Sequence, residues 1–326
     1  MTPDAIDAAL ARIGPSLRRT PMLDAPALDR RAGRRVLVKA ECLQHTGSFK
    51  YRGGKSAVTA LMAARPPSGV LAFSSGNHAQ GVARAAQEAG LPAVIVMPRD
   101  APDAKIAATR AYGAETVLYD RMRDDREAIG QRIAAERGLA LVRPFDDPEV
   151  VAGQGTVGLE IARQARDAGM DRAEVLVPCG GGGLSAGIAL ALSRDAPGLR
   201  VRPVEPEGYD DFARSLQAGE RLPIAPSAPS ICDALLSPRP GELTFPVLKR
   251  LAGPGLAVSD AECLVAMAWA FRTLKICLEP GGAVALAAAL FHGDELEGEN
   301  VIVVATGGNV DPEMFCRALS PVRHEA

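Results

Sequence analysis

Short runs rich in β-branched residues recur at 36–38, 70–73, 93–97, 115–118, 174–177, 200–204 and 301–305. Between them lie Ala-rich stretches with helical spacing, at 78–89, 104–112, 126–137 and 184–194. Such short runs read as strands of a parallel sheet covered on both faces, where no polar alternation is needed. Strand and helix in alternation leave an α/β architecture of open twisted sheets, with ligands at the carboxyl ends of the strands. At 326 residues the chain exceeds the size at which a single hydrophobic core stops growing, so two packed lobes are expected.

Charge narrows the partners. Lys and Arg total 37 against 39 Asp and Glu, and neither sign forms a block, so nothing favours nucleic acid or an anionic membrane surface. With 47% apolar and 23% charged residues, the composition is that of a soluble globular protein, and the balanced charge favours small-molecule chemistry. Cys42, Cys179, Cys232, Cys263, Cys277 and Cys316 are scattered and include no C-x-x-C pair. That pattern argues against a disulfide framework or zinc site and for a reducing compartment. No basic N-terminal segment leads into an apolar run, and apolar stretches such as 301–305 are far too short to span a bilayer, so a cytoplasmic protein is expected. The Pro- and Ser-containing stretch 222–230 reads as a connecting loop.

Three strands run straight into small polar or glycine-rich turns: LAFSSGNHAQG, VLVPCGGGGLSAG and VIVVATGGN. Such turns at strand ends point to one shared site. In the second, Gly180, Gly181, Gly182 and Gly183 precede the helical segment LSAGIALALSR, so backbone N–H groups and a helix N-terminus converge on one anion, most naturally a phosphate. Consecutive glycines are entropically expensive, which favours close ligand approach over a plain tight turn. A dinucleotide reading competes at this point, since Gly181, Gly183 and Ala186 satisfy G-x-G-x-x-A and Glu205 lies at the end of the next strand. A P-loop does not, because no Gly-Lys-Ser/Thr follows the glycines.

The segment KAECLQHTGSFKYRG places Lys50 after a Thr-Gly-Ser-Phe turn. Together with SSGNHAQ, AGQGT, the tetraglycine turn and TGGN, in that order, it resembles the fold-type II pyridoxal-phosphate enzymes, and within them the serine/threonine dehydratase and serine racemase branch. The likeness runs from about residue 20 to residue 312, and several motifs jointly in order are far more specific than any one. It implies a tryptophan-synthase-β-like pair of α/β domains with pyridoxal 5'-phosphate in the cleft. The larger would comprise 1–52 plus 148–326, and the smaller, mobile one 53–147. The tetraglycine turn would then hold the cofactor's phosphate.

By the same resemblance Lys50 carries the cofactor as a Schiff base, Phe49 packs on its ring, and Asn77 hydrogen-bonds the ring hydroxyl. Thr306 sets a neutral hydroxyl against the pyridine nitrogen. A hydroxyl does not hold that nitrogen protonated, so prompt loss of a β-leaving group is favoured over a long-lived carbanion. Ser74, Ser75, Gly76, Asn77 and His78 stand where a strand turns into a helix, which suits a substrate carboxylate. The plainer reading there is an N-cap by Ser74 or Ser75 and a packing role for His78. Arg126 and Ser237 align with residues at the distal end of the substrate, although Asp124, Asp125 and Glu127 also suit Arg126 to a helix surface. Glu205 and Asp211, with the Tyr209 carbonyl, match a site for Mg²⁺ or another hard divalent cation, against the plainer reading of a solvated acidic loop.

The activity implied is that of an ammonia-lyase, or dehydratase, of the threonine ammonia-lyase type. Lys50, displaced by the substrate amine, takes the α-proton, the β-hydroxyl leaves, and a 2-oxo acid and ammonia result. Threonine, serine and 3-hydroxyaspartate are the candidate substrates. Ser75, by resemblance on the opposite face of the cofactor, would return a proton, so a serine or aspartate racemase is the first alternative. A β-replacement synthase, a nucleotide-binding oxidoreductase and a noncatalytic cofactor carrier complete the alternatives. SSGNHAQ weighs against the synthase, and an intact Lys50 and Ser75 against the carrier. A homodimer is expected because family members are commonly dimers.

Overall fold

The computed structural model describes residues 1–74, 76–120, 122–225 and 229–320. Its strands are β1 (Met22–Leu23), β2 (Arg35–Lys39), β3 (Val70–Phe73), β4 (Ala93–Pro98), β5 (Glu115–Tyr119), β6 (Ala140–Leu141), β7 (Ala173–Pro178), β8 (Leu199–Pro206), β9 (Leu256–Val258) and β10 (Asn300–Val304). They form a six-stranded sheet in the order β1-β2-β10-β7-β8-β9 and a four-stranded sheet in the order β5-β4-β3-β6. All neighbours are parallel except β1 against β2. Every expected strand is present. The strands that sequence reasoning missed, β1, β6 and β9, have two or three residues each, too few to show a period. Of the connecting loop expected at 222–230, positions 226–228 lie outside the described residues.

Both faces of the large sheet are covered. Val301 and Val303 of β10 join Leu176 of β7 in one hydrophobic cluster, while Ile302 and Val304 join Val175 and Val177 in another. Successive strand side chains point to opposite faces, so purely apolar strands are the expected outcome. The first face carries helix Pro280–Phe291, which is apolar all round and buried along 280–290. The second carries helices Pro148–Asp167 and Gly183–Asp195. The small sheet is built the same way, with Val70, Ala72, Ile95 and Met97 on one side and Leu71, Val94 and Val96 on the other.

Two local features place the turn that carries Lys50. Helix Lys50–Ala64 crosses helix Asn77–Glu88 backbone to backbone. A Cβ on Gly81 would lie 2.9 Å from the Lys50 carbonyl carbon, and one on Gly54 would lie 3.0 Å from the Gly81 carbonyl carbon, so only glycine permits the approach. Beside it, the fully buried Arg52 donates to Glu41 through Nε at 2.8 Å and to Glu160 through Nη1 at 2.8 Å, and Lys39 Nζ reaches Glu160 at 2.5 Å. Burying these charges is tolerable because each is paired, and the cluster ties β2 to helices Lys50–Ala64 and Pro148–Asp167. Among the described residues, no helix is long and apolar enough to cross a membrane.

Candidate active site

A cavity of about 500 Å³ opens between the two sheets, and the carboxyl ends of β3, β6, β7 and β10 feed residues into its wall. β7 ends at Pro178 and the chain passes through the four glycines into helix Gly183–Asp195. Gly182 adopts a left-handed φ of 87°, and a Cβ on Gly183 would lie 2.6 Å from Gln154 Oε1. Gly180 stands against the Ser237 hydroxyl, 3.1 Å from where its Cβ would be. Gln154 lines the same wall with both amide atoms buried and without hydrogen-bond partners, the kind of orphan that a polar ligand satisfies. Glycine amides at a helix N-terminus next to an unsatisfied side-chain amide fit a phosphate.

Lys50, the first residue of its helix, extends its amine into the cavity and donates from Nζ to the Pro144 carbonyl at 2.9 Å. Desolvation pulls its pKa down to about 8, so an appreciable fraction is unprotonated near neutrality. Phe49 lies beneath, with its ring centroid 5.2 Å from Lys50 Nζ. The Phe49 amide donates to the Thr306 carbonyl at 3.1 Å and Ser48 bridges Gly307, which pins the lysine turn to the turn after β10. Thr306 thus lines the cavity with Lys50.

The turn after β3 supplies the opposite wall. Ser74 accepts the Gly76 amide at 3.1 Å and does not cap the helix, whose N-cap is Gly76 without a side-chain bond. Ser75 lies outside the described residues. Asn77 donates to Glu279, and its Oδ1 accepts from Asn309 Nδ2 at 2.7 Å. Glu279 is buried, with a pKa pushed up to about 7 by desolvation against the opposing pull of Lys105 at 3.7 Å. Lys105 is itself engaged by Asp233 at 2.9 Å. His78 is buried with its Nε2 donating to the Val142 carbonyl at 3.0 Å, and burial with the nearby Lys50 charge lowers its pKa to about 3. It is a neutral tether in the cavity wall, with its Nδ1 buried and without a partner.

Arg126 and Ser237 line the same cavity. Lys50, Phe49, Ser74, Gly76, Asn77, His78, the four glycines and Thr306 therefore converge with them. Glu205, Tyr209 and Asp211 do not line it. Glu205 is buried and accepts amides from Phe212 at 2.9 Å and Ala213 at 2.8 Å, and burial with the neighbouring Asp211 raises its pKa far above the carboxylate range. Asp211 is pushed up to about 7 by burial, and both its oxygens are buried without partners. No group of three or more His, Cys, Asp or Glu suited to a metal occurs among the described residues. Sequence reasoning missed Glu279, Lys105, Asp233, Asn309, Gln154 and Arg143 in this neighbourhood. Asn309 stood inside the quoted TGGN and Gln154 inside AGQGT, so those two carried a signal.

A family model for pyridoxal-phosphate dependent enzymes matches residues 13–307, and the chain belongs to that family. It is 42% identical to an L-threo-3-hydroxyaspartate ammonia-lyase of Pseudomonas sp over 316 residues, 97% of each chain. It is 37% identical to a serine racemase of Schizosaccharomyces pombe, covering 98% of this chain and 97% of the relative. Among solved structures it resembles a threonine deaminase from T.th., with a TM-score of 0.88 and 45% identity over 94% of this chain and 98% of that one. The fold, the cofactor class and the lyase branch expected from the motifs agree with these relatives.

Proposed function

We propose that the protein is a pyridoxal-phosphate-dependent ammonia-lyase that removes water and then ammonia from a small β-hydroxy amino acid, leaving a 2-oxo acid. The observation that carries the reading is the desolvated Lys50 amine facing the cavity that the glycine turn, Asn77 and Thr306 also line. Bound there, the cofactor supplies an electron sink that acidifies the substrate's α-hydrogen. Lys50 would hold it covalently, Phe49 would pack on its ring, and the Gly180 to Gly183 amides would take its phosphate. Asn77 would meet its ring hydroxyl and Thr306 its ring nitrogen. With its pKa near 8, Lys50 Nζ, once displaced by the substrate amine, is suited to take the α-proton, and the Pro144 carbonyl orients it. Ser74, Ser75, Gly76, Asn77 and His78 form the turn for the α-carboxylate, while Arg126 and Ser237 face the distal end. In sum the α-hydrogen and the β-hydroxyl would leave as one water, and the released enamine would tautomerise and hydrolyse to the 2-oxo acid and ammonia.

Racemisation is the second reading, supported by the serine racemase relatives. Ser75 would return the proton from the other side. A hard divalent cation between Glu205, Asp211 and the Tyr209 carbonyl fits the partnerless Asp211 oxygens. Residues 53–147 would form a smaller lobe closing on 1–52 plus 148–326, a division supported by the four-stranded sheet lying wholly within the first segment. The reading further includes a homodimer in the cytoplasm, for which the free thiols of all six cysteines suit a reducing compartment.

The test is to add serine, threonine and each 3-hydroxyaspartate stereoisomer to the purified holoenzyme, following 2-oxo acid and the near-visible absorbance of the lysine-bound cofactor. Oxo acid from at least one is expected, with Lys50→Ala losing both signals. No oxo acid from any of them would sink the lyase.

A further inference from the structure

Arg143 leaves the carboxyl end of β6, and β6 pairs with β3 through Val70–Ala140 and Leu71–Leu141. The carboxyl end of β3 carries Ser74 and Gly76, which line the cavity as Arg143 does. Neighbouring strands run about 4.8 Å apart, so Arg143 stands next to the turn assigned to the α-carboxylate. Its backbone is anchored at Val142, whose amide donates to the Leu71 carbonyl at 2.8 Å and whose carbonyl accepts from His78 at 3.0 Å. Next to this anchor Arg143 is exposed, lines the cavity and has no hydrogen-bond or ion-pair partner among the described residues.

Nothing structural accounts for that side chain. The cavity's other cations are Lys50, Lys105, already engaged by Asp233, and Arg126. Arg126 is also without a partner among the described residues and opens helix Arg126–Arg137, where a cation opposes the helix dipole. A planar donor fork on an immobilised backbone is what bidentate carboxylate recognition requires. The two carboxylates of a four-carbon diacid are separated by only two carbons, which suits two adjacent strand ends. We infer that Arg143 takes a second, distal carboxylate on the substrate, with Arg126 assisting, so that the site is specific for a dicarboxylic β-hydroxy amino acid. This rests on the lyase reading and names its substrate class.

The experiment compares wild-type, Arg143→Ala and Arg143→Lys holoenzymes on threo-3-hydroxyaspartate and on serine, and titrates each with succinate by calorimetry. In Arg143→Ala the ratio of kcat/KM on 3-hydroxyaspartate to that on serine falls about 30-fold, through KM, equivalent to about 2 kcal/mol. Succinate binding weakens in step, and Arg143→Lys falls between. An unchanged ratio, or an equal loss on both substrates, overturns the assignment while the lyase stands. A wild-type protein that forms no 2-oxo acid from any hydroxy amino acid fails the lyase reading instead. The succinate titration then judges Arg143 alone, with undiminished binding in Arg143→Ala counting against it.

Discussion

Glu279 and the Glu205–Asp211 pair are buried carboxylates held in opposite ways. Glu279 and Asp211 are each pushed up to about 7. Glu279 nonetheless has Lys105 at 3.7 Å and a donated bond from Asn77, whereas Glu205 has only the Phe212 and Ala213 amides, and Asp211 has no partner for either oxygen. Desolvation of an anion must be offset by hydrogen bonds or by a counter-charge. The first site has a cation in ion-pair reach on helix Asp103–Ala111, whereas Asp211 feels only the Arg214 charge, which lowers its pKa without an ion-pair contact. The contrast separates a carboxylate with a cation in ion-pair reach from a carboxylate pair without one.

The largest expected effect comes from removing the internal cation. Lys105→Met should lower stability by about 3 kcal/mol at pH 8, read as a fall in the urea midpoint, because it strands the buried Glu279. A raised carboxylate pKa means that Glu279's contribution is full below its unfolded value of about 4.3 and is lost as pH rises through 7. The defect should therefore shrink at pH 6, and an equal defect at both pH values would show that Glu279 is not the group responsible. Next in size, Mg²⁺ or Ca²⁺ at about 100 times its dissociation constant should stabilise the protein by about 2.7 kcal/mol, seen in thermal melts with and without chelator. Asp211→Asn should abolish that gain, and a wild-type protein indifferent to both ions would erase the difference between the two sites. Smallest is Glu279→Gln at pH 6, where the native carboxyl already holds its proton and the midpoint should move by less than about 1 kcal/mol. A large loss there would mean that the charge on Glu279 is needed even in acid.

Much of this was legible beforehand. Alternation of apolar runs with Ala-rich helices marked the longer strands, because buried parallel strands need no polar face. Lys50, Asn77, the glycines and Thr306 stood inside motifs whose order survived as a sequence pattern. Arg143 was hidden because β6 has only two residues, so nothing identified a strand end there. Glu279 and Lys105 were hidden for another reason: their significance is mutual, and 174 positions of chain separate residues that meet only after two sheets have packed. Arg126 was visible but ambiguous, since acidic neighbours in sequence make a surface ion pair look natural. Among the described residues it has none.

The strand order has a consequence for how the molecule comes into being. β2, which leads into the lysine turn, joins the large sheet only through β10, made some 260 residues later. Until then β1 and β2 are a two-stranded ribbon with no sheet to lean on, and the Phe49 amide lacks the Thr306 carbonyl that holds it. A ribosome working at about 5 to 20 residues per second would expose that unfinished edge for roughly 13 to 50 seconds. The turn that carries Lys50 is thus framed last, and a chain released early carries the lysine without the bond that pins its turn.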